Sequence, residues 1–149
     1  MRNQEIHTTR FGNLQIESDD IIQFPRGILG MENLREWVLF ADAENLQLGW
    51  LQSMQQPEVA LAVVSPRRFV TDYQVRVARR ELAPLLLART EDAHVLAIVS
   101  KNDRHITLNL KAPLVINLPA CLGCQVVAKG DQPIQYELSY HCEPLKKSA

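Results

Sequence analysis

Short strand-like segments recur along the chain at spacings near ten residues, with turn-forming residues between them. Runs rich in β-branched and aromatic residues, or alternating between apolar and polar ones, are typical of β-strands. Many short strands at this spacing indicate an antiparallel sandwich or a small barrel. The predicted strands are 6–11, 14–17, 21–24, 37–40, 48–54, 59–64, 69–77, 95–99, 106–110, 114–118, 125–128 and 134–140.

No linker rich in glycine, serine or proline divides these segments, and no longer period repeats. We therefore predict a mainly β, single-domain, antiparallel barrel-like fold over residues 1–149, with one or two short helices. The helical candidates are residues 33–36 and 78–87. In the second, Pro84 fits only in the first turn or outside the helix, because proline lacks the backbone N–H that a helix interior uses.

Glycines mark the expected sharp turns. Gly12 and Asn13 stand between the first two predicted strands, which indicates a hairpin with a two-residue loop. Gly27 and Gly30 follow the third strand, where a bend that needs positive φ favours glycine.

Composition places the chain among ordinary globular proteins: 46% of its residues are hydrophobic and 22% are charged. Its net charge of −1 argues against a uniformly basic surface for polyanions. That total conceals an asymmetry, because residues 1–66 carry a net charge of −5 and residues 67–111 carry +4. The sequence shows neither a membrane-spanning run nor the apolar core of a signal peptide at its start. We therefore predict a cytoplasmic protein, and a small domain of low net charge is compatible with a monomer.

Cysteines supply the most chemical-looking spacing. Cys121 and Cys124 form a Cys-x-x-Cys pair, and Cys142 lies further along the chain. A structural zinc site needs four ligands, commonly two such pairs, and Leu145 stands where the second pair would be completed. We interpret these residues as free structural cysteines. A small metal or thiol protein is kept as a less favoured alternative.

No catalytic arrangement is recognisable. The serines lack the Gly-x-Ser-x-Gly setting of an exposed nucleophile, the four histidines are scattered, and no glycine-rich loop for phosphate is present. The sequence therefore predicts neither an enzyme nor a cofactor.

Five arginines lie near two aromatic residues in the basic part of the chain. Arginine forks beside aromatic platforms are used by proteins that bind single-stranded RNA. Arginines at such density more often form a solvated rim, so RNA binding is the alternative function rather than the leading one. The residues concerned are Arg67, Arg68, Phe69, Tyr73, Arg76, Arg79 and Arg80.

Two asparagines flank an Ala-Pro break between apolar segments. Asn109 and Asn117 stand eight residues apart, on either side of Pro113. Because a buried amide must find hydrogen-bond partners, we predict that both side chains pin the backbone at this break.

Several short motifs point together to one family. Their order and spacing from about residue 8 to residue 128 resemble the FliW family of bacterial flagellar assembly factors. The motifs are Thr9-Arg10-Phe11-Gly12, Phe24-Pro25-x-Gly27-Ile28-Leu29-Gly30, Trp50-Leu51-Gln52-Ser53, Pro66, Tyr73, residues 107–117, and Gly123-x-Gln125-Val126-Val127.

This resemblance implies a compact barrel-like fold, no catalysis and two protein partners. Proteins of this family bind newly made flagellin near its terminal helical segments. They also bind CsrA, a dimeric repressor of flagellin mRNA translation. Flagellin in the cytoplasm captures the factor and leaves the repressor free, whereas flagellin export releases the factor to sequester the repressor.

Candidate partner-binding residues follow from charge and aromaticity. An RNA-binding repressor is typically basic, so the acidic N-terminal portion suits it, and aromatic residues suit an amphipathic helix. At least half of the four aromatic candidates, which include Phe11, are expected in the core. The candidate residues are Asp19, Asp20, Glu32, Glu36, Asp42, Glu44, Phe24, Trp50, Tyr73, Asn109 and Asn117.

Overall fold

The computed structural model describes residues 3–138, in which a ring of seven strands closes on itself. The ring order is β3-β4-β5-β6-β7-β9-β10, and β10 returns to β3. The strands are β1 (Asn3–Thr8), β2 (Gly12–Glu17), β3 (Ile21–Gln23), β4 (Glu36–Ala41), β5 (Leu48–Ser53), β6 (Ala60–Val64), β7 (Ala93–Lys101), β8 (Ile106–Leu108), β9 (Leu114–Asn117), β10 (Leu122–Gln125) and β11 (Tyr136–Glu137). The predicted mainly β, barrel-like fold is confirmed.

The barrel is antiparallel except at one seam. There β3 and β10 run parallel and pair through Gln23 and Leu122. The Gln23 N–H also donates to the Cys121 carbonyl at 2.9 Å. Strand β7 is long enough to exchange partners, since its first half pairs with β9 and its last residues pair with β8, which in turn pairs with β11.

The barrel interior is filled by side chains that alternate along the strands. Trp37, Leu51 and Val63 come from three consecutive strands and are almost fully buried. Phe24 lies beside the seam, where a Cβ on Gly123 would stand 2.5 Å from its ring, so only glycine fits there. Burial of each large apolar side chain contributes about 1.5–3 kcal/mol, which makes this interior the main source of stability.

The outer face of the barrel is covered in three places. The β1–β2 hairpin lies over β4 and β5, where the Thr9 N–H donates to the Pro57 carbonyl and Phe11 meets Phe40 and Trp50. Two further apolar clusters form outside the barrel, one around Tyr73 and Leu108 and the other around Leu85 and Val126. Their members are Val64, Tyr73, Ala97, Leu108, Leu110 and Leu138 in the first, and Leu85, Val115, Cys124 and Val126 in the second.

Helical structure among residues 3–138 consists of short 3₁₀ segments. The longest, Arg79–Leu85, falls inside the predicted helix over 78–87. Pro84 lies within this segment rather than in its first turn, but the hydrogen bonds at its ends are donated by Glu81 and Leu86, so neither needs the proline nitrogen. The others are Ser18–Asp20, Pro66–Arg68 and Thr90–Asp92.

Two local predictions near the start of the chain are wrong. The hairpin exists, but its loop has three residues, because Gly12 (φ +69°) pairs with Thr8 instead of occupying the turn. Residues 33–36 form no helical turn: Leu34 is buried and its carbonyl accepts the Trp37 indole N–H. That anchor leads the chain directly into β4. The positive φ expected at Gly27 and Gly30 is confirmed.

Three predicted strands also differ from the structure, in whole or in part. Residues 69–77 form no strand, and their alternating apolar side chains cover the outer face of the barrel instead. The strand expected over 125–128 ends at Gln125, because Val126 lies opposite Pro113, which accepts its N–H but has none to return. Of the strand predicted over 134–140, only Tyr136–Glu137 forms, and residues 139–140 lie outside the described part of the chain.

Candidate protein-interaction site

Three aromatic rings meet where the hairpin loop reaches the barrel. The ring centroids of Phe11 and Phe40 are 4.9 Å apart and those of Phe11 and Trp50 are 5.2 Å apart, both in edge-to-face arrangements. The Arg10 guanidinium lies 4.8 Å from the Trp50 ring centroid. We call these four residues the aromatic corner. In this cation–π contact the Arg10 guanidinium covers part of the Trp50 indole ring.

Asp42 fixes the orientation of Trp50. Its Oδ1 accepts the Trp50 indole N–H at 2.8 Å, and its Oδ2 accepts the backbone N–H groups of Glu44 and Asn45. These bonds, led by that from Trp50, lower the pKa of Asp42 below its usual value of 3.8. The carboxylate is therefore charged at neutral pH and holds an aromatic side chain at the surface.

An apolar recess of about 690 Å³ opens beside the aromatic corner. Its floor is the outer face of β5–β7, where cross-strand register places Trp50 opposite Ala62 and Ala62 opposite Val99. The small alanines leave space that larger neighbours enclose. The recess is lined by Arg10, Asn45, Gln47, Leu48, Trp50, Ala60, Ala62, Val64, Phe69, Val99, Ser100, Lys101, Ile106 and Leu138.

The lining of the apolar recess is suited to binding the apolar side of a helix. Arg10 and Lys101 border the recess, no carboxylate lines it, and its floor is apolar. Helix-binding grooves combine an apolar floor with polar edges in this way. Within residues 3–138, no group of three or more histidine, cysteine, aspartate or glutamate side chains is placed to hold a metal ion.

The predicted acidic residues lie mainly on the side of the barrel formed by β3 and β4, without forming one cluster. Asp19 and Asp20 are exposed just before β3, and Asp20 accepts the Glu17 N–H. Glu36 accepts a hydrogen bond from Gln23 on β3. The remaining three are Glu32, which accepts the Gly30 N–H, and Asp42 and Glu44 beside the aromatic corner.

Two predicted aromatic residues are buried. Phe24 lies inside the barrel, and Tyr73 lies in an outer cluster where its hydroxyl donates to the Leu110 carbonyl at 2.7 Å. Burial raises the pKa of Tyr73 to about 12. Neither ring is exposed to a partner, whereas Phe11 and Trp50 are partly exposed. The expectation that half of these aromatics are core residues is confirmed.

Asn109 pins the backbone at the Ala-Pro break as predicted, whereas Asn117 holds a different segment. Asn109 Oδ1 accepts the N–H groups of Lys111 and Ala112 just before Pro113. Asn117 is buried and donates to the Leu85 carbonyl at 2.8 Å, tying β9 to the 3₁₀ segment.

The two cysteines in the described part of the chain are not arranged for thiol chemistry. Cys121 and Cys124 are free. Burial, with smaller contributions from Asp19 and Asp20, raises the pKa of Cys121, and burial raises that of Cys124 to about 11. Higher thiol pKa values reduce the reactive thiolate at neutral pH. Cys142 lies outside the described residues.

The arginines and aromatics of the RNA hypothesis do not form one exposed surface, and the Tyr73 ring is buried. Arg67 Nε donates to the Tyr73 carbonyl, and Phe69 lines the apolar recess. Arg76, Arg79 and Arg80 instead line a second recess. The structure therefore does not bring these arginines and rings together as a stacking platform.

Some residues of the apolar recess were missed from the sequence. Leu48, Ala62 and Val99 line it because they share the outer face of neighbouring strands. Alternation along a strand predicts that every second residue shares a face of the sheet. Only the register between strands in the structure shows which of these faces is covered by other segments and which is open to solvent.

Comparisons with known proteins agree with this fold. The FliW protein family matches residues 5–139. The chain is 35% identical to the flagellar assembly factor FliW of Syntrophotalea carbinolica, over 83% of this chain and 89% of that protein. It is 36% identical to that of Moorella thermoacetica, over 85% of this chain and 82% of that protein.

A solved structure extends the likeness to three dimensions. The crystal structure of the flagellar assembly factor FliW superimposes with a TM-score of 0.83 at 26% identity, covering 91% of this chain and 96% of that one. Fold and relatives together define a β-barrel protein of the flagellar assembly factor class. The chain belongs to the FliW family. Within its described part, no helix is long and apolar enough to cross a membrane.

Proposed function

We propose that this chain binds flagellin in the cytoplasm and also binds the translational repressor CsrA, one partner at a time. It acts by binding and not by catalysis. When flagellin is scarce, the chain sequesters the repressor and translation of flagellin mRNA proceeds. When flagellin accumulates, it occupies the chain and the repressor is released. Family membership supports this role, and the apolar recess carries it.

The apolar recess with the aromatic corner is the surface that we assign to flagellin. A terminal helical segment of flagellin would place apolar side chains at three- and four-residue spacing against Trp50, Ala62 and Val99. Trp50 is already oriented by Asp42, so little side-chain entropy is lost on binding.

The acidic side of the barrel is the surface that we assign to CsrA. Asp19 and Asp20 are exposed, and neither has an ion-pair partner among the described residues. Opposite charge on a basic repressor would accelerate association and make binding weaken with salt. Flagellin and CsrA bound at these two surfaces would exclude each other where their bulk overlaps in space.

Titration calorimetry with purified cognate flagellin tests the first surface. Trp50→Ala removes an aromatic wall, and Ala62→Met fills the floor, so each should weaken binding at least about tenfold. Leu118→Ala is the matched control, because Leu118 is exposed and lies outside the recess. Unchanged binding by both recess variants would refute this surface.

The second surface is tested with purified CsrA. The double variant Asp19→Asn/Asp20→Asn keeps an oxygen for the Glu17 N–H but removes two charges. We expect slower association and a shallower salt dependence. Glu91→Gln is the control, since it removes an exposed charge elsewhere. If the chain binds neither flagellin nor CsrA, the proposed function as a whole is disproved.

A further inference from the structure

A second recess, of about 1130 Å³, lies where the Arg79–Leu85 segment and the residues around it cross the outside of the barrel. Its apolar lining includes Val77, Leu82 and Leu87, which also pack on the outer cluster around Leu85. Its charged lining is entirely basic. We call it the basic recess, and its charged residues are Arg76, Arg79, Arg80, Arg89 and Lys129.

The charge of the basic recess is largely uncompensated. Arg89 faces Asp92 at 3.7 Å, but no ion pair in the described part of the chain involves Arg76, Arg79 or Arg80. Glu81 is in the same 3₁₀ segment but pairs with Arg26 at 3.9 Å and does not line the recess. Several cations therefore surround an apolar floor with no acidic residue among its lining.

Leu86 adds an independent observation at the same place. It lines the recess, the residue is 74% exposed, and its φ of +52° is in the left-handed region. A helix end of this kind normally carries glycine, because leucine adopts the conformation only at a free-energy cost. The positive φ therefore holds an apolar side chain in solvent at the basic recess, where a bound partner can contact it.

We propose that the basic recess binds an acidic amphipathic peptide segment of a protein partner. Its carboxylates would meet the arginines, and its aliphatic side chains would contact Leu82, Leu86 and Leu87. The volume exceeds the range of about 300–1,000 Å³ usual for small ligands, which favours a peptide. No aromatic side chain lines it, so it lacks the stacking surface on which single-stranded RNA depends.

This surface is distinct from the one assigned to flagellin. The basic recess and the apolar recess share no lining residue. A ligand in the basic recess therefore contacts different residues from one in the apolar recess, and the inference stands whether or not the proposed function is correct.

Fluorescence anisotropy of the full chain with labelled probes tests the proposal. The probe is a short synthetic peptide with leucines at helical three- and four-residue spacing and glutamates between them. A matched peptide carries glutamine for each glutamate, and a single-stranded oligouridine is the third probe. The glutamate peptide should bind at low salt, more tightly than the other two probes.

Variants locate the binding. Arg79→Glu/Arg80→Glu should weaken binding of the glutamate peptide at least about tenfold. Leu86→Gly should weaken it by a few fold while leaving thermal stability equal or higher, since glycine relieves the positive φ. Arg68→Glu/Arg104→Glu reverses two exposed charges outside both recesses and should bind almost as the parent chain does.

Each contrary result overturns the proposal. Equal binding of the glutamine peptide would show that charge is not recognised. Tighter binding of oligouridine, lost in Arg79→Glu/Arg80→Glu, would make the recess a nucleic-acid site. Absence of peptide binding to the parent chain at low salt, or equal loss in the control variant, would exclude a peptide site here.

Discussion

The two tryptophans occupy neighbouring strands and meet opposite environments. Trp37 on β4 is fully buried in the barrel and donates its indole N–H to the Leu34 carbonyl at 3.0 Å. Trp50 on β5 is partly exposed, lies beneath Arg10 and donates to the Asp42 carboxylate at 2.8 Å.

Strand parity explains the difference. Side chains alternate along a strand, so Trp37 and Phe40, three residues apart, point to opposite faces. Trp50 is the cross-strand partner of Phe40 and shares its outer face. One tryptophan therefore fills the interior, and the other is available at the surface beside the apolar recess.

The largest expected effect is on the inner tryptophan. Trp37→Ala should destabilise the fold by about 3–5 kcal/mol, because the closed barrel cannot collapse around the cavity. Urea unfolding monitored by circular dichroism measures this loss. A cost no greater than that of Trp50→Ala would break the comparison.

A steric clash in the barrel interior should reduce the free energy of unfolding less than the cavity left by Trp37→Ala. Gly123→Ala places a Cβ 2.5 Å from the buried Phe24 ring and should cost about 1–3 kcal/mol. Thermal unfolding measures it. The double variant Gly123→Ala/Phe24→Leu should recover part of the loss, whereas additive losses would show that the ring is not the cause.

Removal of the outer tryptophan should affect stability only moderately. Trp50→Ala loses ring contacts with Phe11 and a cation–π contact with Arg10, a total of about 1–2 kcal/mol. Urea unfolding gives this value. A loss as large as that of Trp37→Ala would show that the aromatic corner belongs to the core.

The smallest effect depends on pH. The pKa of folded Asp42 is lowered below 3.8, so its stabilising contribution is present above that value and is lost as pH falls through the folded pKa. Asp42→Asn should therefore cost under about 1 kcal/mol at pH 7 after solvent screening. The difference from the parent chain should disappear in strongly acidic buffer. Paired unfolding curves at both pH values measure it, and a difference that grows on acidification would contradict the assignment.

The sequence pattern located six of the seven barrel strands and misplaced β10 by three residues. It failed for residues 69–77, where the same alternation serves to cover an outer face without backbone pairing. The alternation of residues along a segment indicates which of its sides is apolar. It does not show whether a neighbouring strand is present to accept hydrogen bonds from the backbone N–H groups of that segment.

The candidate site was predicted only in part. Trp50 and Asp42 were both named from the sequence, yet their hydrogen bond depends on the turn between β4 and β5. Phe24 and Tyr73 are aromatic like Phe11 but are buried. The two recesses depend on strand register and on segments distant in sequence, which a linear pattern does not contain.

The parallel seam between β3 and β10 also sets an order of events during synthesis. Strands β3 to β6 are consecutive neighbours and can pair as soon as they are made. The ring itself cannot close until Leu122 has emerged to meet Gln23. Until then, strands β3 to β9 can form only an open sheet with unpaired edges, and pairing at the seam converts that sheet to a barrel.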